Sequence, residues 1–296
     1  MRTLALSFKA HVESGATTLA TCWRLARTDG VVLGFTDHDE RLSFDGVDYL
    51  PAHGLDGGEA VSKLGPQVDT TEVVGVLHSA AIAEDDIQLG RYDGALVETW
   101  RVNWRDVATR HLVRRATIGE IVREDGVFRA ELRSGQEALN QPRGRIYQAL
   151  CDAHLGDARC GVDLDDAAYR AAAVVTAVRD RWRLAVTGIE GFAEGWFGLG
   201  SARWSDGQRA GLTDQLVTHA RVLGTDVLGF SAPVGDWVQI GDGLDVRAGC
   251  DRRFETCRAK FDNAPSFRGF PHIPGSDFVL RYPRSGDVHD GRALVR

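Results

Sequence analysis

The sequence predicts a mainly β protein of antiparallel hairpins, with one loop-rich, cysteine-bearing segment towards its end. Three observations predict it. Asp-Gly occurs eight times, at 29, 45, 56, 93, 125, 206, 242 and 290, several of them between apolar or alternating runs. This dipeptide tolerates the positive φ angles that two-residue hairpin turns need. Helical periodicity is scarce. Finally, GCDRRFETCRAKFDNAPSFRGFPHIPG, residues 249–275, combines two cysteines, four phenylalanines and three prolines in a pattern too irregular for one continuous helix or strand.

In chain order, TTLATCWRLARTDGVVLGFTDHD reads as strand, tight turn, strand, and RLSFDGVDYLPA as a short hairpin. AIAEDDIQLG has room for one or two helical turns. EIVREDGVFRAEL is a longer hairpin. This gives an all-β first part over residues 1–140. RGRIYQALCDAHLG is the best helix candidate, with Ile146, Leu150, His154 and Leu155 on one side and Gly156 as its stop. It lies in a connecting segment, 141–167, with the first cysteine pair. A second β part follows over 168–248, including AAVVTAVRDRWRLAVTG and EGWFGLGSARWSDGQRAGLTDQLVTHARVLG. Repeated hairpins of this length point to antiparallel barrels or sandwiches. Residues 249–276 hold the second cysteine pair, with DRRFETCRAKF as a short helix. The polar residues 277–296 read as a surface tail.

The net charge of −7 over 296 residues argues against a general nucleic-acid binder. Only Lys9, Lys63 and Lys260 are lysines among 35 basic residues, so the cationic side chains are nearly all arginines. No apolar run approaches the roughly 18 residues of a membrane span, and MRTLALSFKAHVESG lacks a secretory core. Folding in the cytoplasm is expected, where thiols stay reduced and structural disulfides are disfavoured.

That leaves the cysteines. Cys22, inside the first strand, reads as a core thiol. The other four form two pairs, CDAHLGDARC (Cys151, Cys160) and CDRRFETC (Cys250, Cys257), one on each side of the second β part. Neither has the CxxC spacing of a zinc ribbon. Hairpins return the chain to its start, so the β part between the pairs can bring them together around one centre. Tetrahedral zinc and a cubane iron–sulfur cluster both accept four cysteines. Phe254, Phe261, Phe267 and Phe270 are enough for a dry shell. Four buried free thiols, acting as small hydrophobes, are the competing reading of the same spacing.

Other candidate chemistry is weaker. TDHDE (36–40) reads as a polar turn, with a cation site as the alternative. RVNWRDVATRHLVRR, beside Trp100 and Trp104, offers an arginine-rich interface patch against a plain exposed strand face. Trp196, Phe197 and Trp204 read as core or subunit contacts. No HExxH, Walker loop, GxSxG or kinase set is present.

FTDHDERLSFDGVDY, DIQLGRYDGALVETWRVNW, LNQPRGRIYQALCDAHLGDARCGVDL and GCDRRFETCRAKFDNAPSFRGFPHIPG together resemble a phage-derived family of tail proteins. These are the baseplate hub proteins of gene transfer agents and related long-tailed phages, and lambda-like tail-tip proteins are similar. The resemblance implies two antiparallel β-barrel-type domains plus a loop-rich cysteine domain holding an iron–sulfur cluster. It implies Cys151, Cys160, Cys250 and Cys257 as ligands of one [4Fe–4S] cluster, with zinc as the alternative ion. It further implies a structural, non-enzymatic homotrimer that joins a distal tail ring to a megatron-like central fibre or spike. A tail peptidase is a further partner, and DNA passes through the enclosed channel without specific binding. Assembly in the cytoplasm and residence in the tail baseplate follow. The rival reading is an iron–sulfur or zinc-dependent enzyme, which needs an open metal position or a substrate cleft.

Overall fold

The computed structural model describes residues 4–52, 56–57, 70–76, 82–124, 127–139 and 144–273. The chain divides into two compact units, Met1–Arg143 and Gly144–Arg296.

The first unit is built on a nine-stranded sheet. Helix α1 (Leu6–Glu13) precedes strands β1 (Leu19–Ala26), β2 (Val32–Thr36), β3 (Leu42–Phe44), β4 (Val47–Pro51), β5 (Asp56–Gly57) and β6 (Thr70–Val76). After α2 (Glu84–Gln88) come β7 (Leu96–Asn103), β8 (Arg110–Glu124), β9 (Val127–Ser134) and α3 (Gln136–Leu139). The strand order is β3-β4-β2-β1-β7-β8-β9-β6-β5. Pairing is antiparallel except between β2 and β4. Asp45 and Gly46 both have positive φ, 49° and 73°, which closes the β3–β4 hairpin in two residues. The Asp125–Gly126 turn expected between β8 and β9 lies outside the described residues, as does the tail from Asp277.

Two clusters form the core of this unit. Leu25, Phe35, Tyr92, Val97, Ile118 and Leu132 belong to one. Cys22, Phe44, Tyr49 and Val102 belong to the other, and Cys22 is fully buried as a core thiol. Asp37 accepts the Thr21 N–H at 2.7 Å and His38 Nδ1 accepts the Glu40 N–H at 3.0 Å, so TDHDE is a self-satisfied polar turn. The arginine run is partly neutralised, with Arg110 on Asp45 at 2.7 Å and Arg115 on Glu98 at 2.8 Å.

The second unit contains a closed six-stranded barrel. Its strands are β10 (Arg170–Val178), β11 (Arg183–Thr187), β12 (Ser201–Trp204), β13 (Thr213–Val222), β14 (Thr225–Phe230) and β15 (Gly243–Arg247), in the order β10-β11-β14-β13-β12-β15. The circle closes because the first strand pairs with the last, Arg170 opposite Arg247. Alternation along β10 and β12 sends Ala173, Val175, Ala202 and Trp204 inward, where they meet Phe197, Leu184, Leu228 and Val246. Trp204 Nε1–H donates to Asp214 at 2.6 Å, so its one polar atom is satisfied. His219 and Asp226 are buried against each other at 3.2 Å, and Arg221 reaches the same carboxylate at 2.9 Å. After β15 comes α4 (Phe254–Phe261).

The mainly β expectation and the barrel of the second half stand. The expected second barrel does not: the first unit is an extended sheet that is not closed among the described residues. The helix expected at RGRIYQALCDAHLG is also absent, and residues 144–148 have no regular structure. Ile146 is 78% and Leu150 45% exposed, so these two residues of the expected apolar stripe are not buried, while Leu155 turns to the cysteine cavity. Backbone groups here bond distant chain instead of the preceding turn: Phe270 N–H reaches Gln148 O at 2.8 Å and Cys151 N–H reaches Arg252 O at 2.9 Å.

Candidate functional site

Barrel closure positions the site. The first cysteine pair precedes β10 and the second follows β15. Because these two strands are neighbours, the pairs emerge on the same rim. Ala248 N–H bonds Tyr169 O at 2.7 Å just beyond the paired strands, which fixes both exits. Gly249 then crosses the barrel loop at 197–200 so closely that a Cβ there would lie 1.8 Å from the Gly198 carbonyl oxygen. Only glycine fits such an approach.

Each thiol is presented by a local device. Asp157 takes the backbone N–H groups of His154, Arg159 and Cys160 at 2.9, 2.9 and 2.7 Å, folding the turn that carries Cys160. Those donors hold its carboxyl below the usual carboxylate range. Cys257 sits on the buried side of α4, which ends at Asp262 in the left-handed region. Arg252, also left-handed at φ 64°, aims its N–H at Cys250 Sγ, 3.3 Å away. Arg268 N–H lies 3.4 Å from Cys151 Sγ, and Asn263 Nδ2–H lies 3.7 Å from Cys160 Sγ. Asn263 and Arg252 were not singled out in the sequence, because neither residue type announces a cysteine neighbour.

All four cysteines line one cavity of about 300 Å³. Gly200, Ser201, Gln215 and Ala248 supply its barrel wall, and Phe261 and Phe267 part of its loop wall. Phe254 supports Phe267 edge-on at 5.1 Å. Phe270 stands outside this shell, 42% exposed and packed on Tyr147, so the expected ring of four phenylalanines reduces to three. Burial pushes the Cys250 thiol up, with the neighbouring acidic groups adding to it. Burial pushes Cys257 up to about 11, and the three other thiols reinforce the shift. Lys260 spans the back of the site. Its Nζ donates to the Trp196 and Gly249 carbonyls, the latter at 2.8 Å, and lies 4.6 Å from the Trp196 ring centroid. Burial brings it down to about 8.

The expectation of an iron–sulfur domain as part of the fold is corrected by this geometry. Among the described residues no three His, Cys, Asp or Glu side chains are grouped to hold a metal ion. All five cysteines are free. The physical reason is that the four thiols border a cavity rather than converging on a point.

Residues 5–163, more than half of the chain, match the family described as baseplate hub protein, N-terminal attachment domain. Residues 195–277 match the family described as phage conserved hypothetical protein BR0599. The chain therefore belongs to the baseplate hub protein family. It is also similar to a chain solved in a structure titled "Virion of native gene transfer agent (GTA) particle". The TM-score is 0.90 at 43% identity, covering 98% of this chain and 100% of that one. A search of curated proteins gives no match.

Proposed function

We propose that this chain is the hub of a gene-transfer-agent-like tail baseplate, a structural protein and not an enzyme. The full-length likeness to a chain of a gene transfer agent virion carries this reading. As a hub it would join the distal tail ring to the central fibre or spike. It would assemble in the cytoplasm as a trimer around a channel, with a tail peptidase as a further neighbour. The overall acidity suits a channel that DNA passes without sticking, since phosphate contacts need basic side chains. The test is to delete the chain in producing cells and image the particles. Tails without a baseplate are expected, and normal baseplates on the deleted background overturn the reading.

We further propose that Cys151, Cys160, Cys250 and Cys257 bind a [4Fe–4S] cofactor. The support is the donor set: four soft sulfur ligands around one roomy cavity, with N–H groups aimed at three of the sulfurs. A cavity of about 300 Å³ lined by four thiols suits a polynuclear group better than a single zinc ion, which draws its ligands to one point. Bound there, the group would supply iron–thiolate cross-links between the loop residues Cys151, Cys160 and Cys250 and Cys257 on α4. The chain's own part is to give up thiol protons, so uptake is expected to weaken as pH falls. An iron assay and anaerobic absorbance spectrum on the wild type and Cys250→Ser test this. Iron bound by the wild type and lost in the variant is expected, and an iron-free wild type refutes it.

A further inference from the structure

We infer that Asn263 is the positioning residue that sets the geometry of the four-thiol cavity, stitching one cysteine of the first pair to one of the second. The inference rests on the cofactor reading above only for what fills the cavity. The stitch itself belongs to the polypeptide.

Two ties join the cysteine pairs, and each crosses from one pair to the other. The first uses only the backbone of Arg252: its N–H donates to Cys250 Sγ at 3.3 Å and its carbonyl accepts the Cys151 N–H at 2.9 Å. Any residue able to hold a left-handed φ makes this tie. The second depends on a side chain. Asn263 Nδ2–H donates to Cys160 O at 2.7 Å and lies 3.7 Å from Cys160 Sγ. The backbone of Asn263 meanwhile serves Cys257, its N–H bonding Cys257 O at 3.1 Å and its carbonyl accepting the Cys257 thiol at 3.3 Å. One residue therefore touches both atoms of Cys160 that matter and both of Cys257. The left-handed Asp262 turns the chain at the end of α4 so that this is reached within two residues of the helix.

The chemistry requires an amide. Cys160 O and Sγ are acceptors, so the partner must donate to both, and an NH2 group carries two donors. A carboxylate of the same shape would place an acceptor against a carbonyl and a sulfur. Hydrogen bonds to cysteine sulfur also set the potential of a sulfur-bound cluster, because they favour the more negative state. Residues that orient ligands in this way typically contribute about 10–100-fold to metal affinity.

The full-length protein is tested as wild type, Asn263→Ala and Asn263→Asp, with tryptophan fluorescence and circular dichroism confirming an intact fold in each. Metal-free samples are labelled with iodoacetamide and read by mass spectrometry. Labelling of Cys160, the cysteine the Asn263 side chain holds, is expected to rise at least about 10-fold in Asn263→Ala, with Cys22 unchanged. Samples reconstituted with ferrous iron and sulfide are then challenged with a chelator. Iron loss is expected to be about 10–100-fold faster in both variants. The midpoint potential of Asn263→Ala is expected below that of the wild type, a change that looser packing alone does not produce. Unchanged labelling of Cys160 overturns the stitch, whatever fills the cavity. A wild type that takes up no iron removes the cofactor reading and leaves the labelling result to decide the stitch.

Discussion

Replacing Gly249 by alanine tests whether the cysteine segment and the barrel are one packed object. The new Cβ would meet three backbone atoms: Gly198 O at 1.8 Å, Gly200 N at 2.3 Å and Leu199 C at 2.4 Å. None can rotate away, so the two backbones must part by about 1.5 Å to reach an ordinary C···O contact. Overpacking of this kind costs about 1–3 kcal/mol. Parting the chains also weakens the Gly249 N–H bond to Trp196 O and the Lys260 bond to Gly249 O, each worth about 1 kcal/mol. A total of about 3–5 kcal/mol follows, which lowers the melting point of a unit of this size by roughly 6–20 °C. The assay is thermal unfolding followed by tryptophan fluorescence, with Gly211→Ala as comparator. Gly211 has φ +82° with open space around it, so alanine there meets only left-handed strain of about 1 kcal/mol. If Gly249→Ala melts at or above Gly211→Ala, the close approach does not hold the segment and the reasoning fails.

Two further outcomes are expected. Leu223 is fully exposed at φ 51° ahead of Gly224 at φ 80°, so Leu223→Asn suits the two-residue turn better and should raise the urea midpoint by about 1 kcal/mol of stability; an unchanged or lower midpoint contradicts this. In metal-free protein the raised Cys257 thiol, about 11 against 9.0 unfolded, contributes stability that is complete below pH 9 and lost as pH rises through 11. Any stability margin of wild type over Cys257→Ser should therefore shrink across that window in denaturant titrations, and a constant margin would count against the burial.

The hairpins were legible because their turns are chemical. Asp45–Gly46 supplies two residues that tolerate positive φ, and the structure uses both. The β13–β14 hairpin was legible from its flanking strands only, since Leu223 does not advertise a left-handed turn. Strand closure was legible in outline for the second half, where the run of hairpins returns to its start. The sheet of the first half was not, because nothing local to β3 or β5 says whether they meet. The failed helix at 144–156 shows how periodicity misleads. Its apolar spacing is real, but Gln148 and Cys151 are held by Phe270 and Arg252, more than a hundred residues away. The four cysteines were legible as a set, whereas Asn263, Asp157 and Lys260 act through backbone carbonyls and N–H groups that no spacing encodes.

The placement of those cysteines on the barrel decides what the site can do mechanically. β10 and β15 are the first and last strands of the barrel and are hydrogen-bonded to each other, from Arg170–Arg247 to Val174–Gly243. Their pairing is the contact of longest sequence separation in the barrel and so the one with the largest closure entropy. The cysteine pairs flank that seam on the chain's two exits, with Cys250 three residues beyond β15. Anything that ties the first pair to the second therefore shortens the loop that must close and stabilises the seam. The Arg252 and Asn263 stitches do this with hydrogen bonds alone, and Lys260 adds a third clasp from α4 to the 196–200 loop. Covalent iron–thiolate links would strengthen the same seam. The closing strand pair of the barrel is therefore where this chain concentrates these cross-ties.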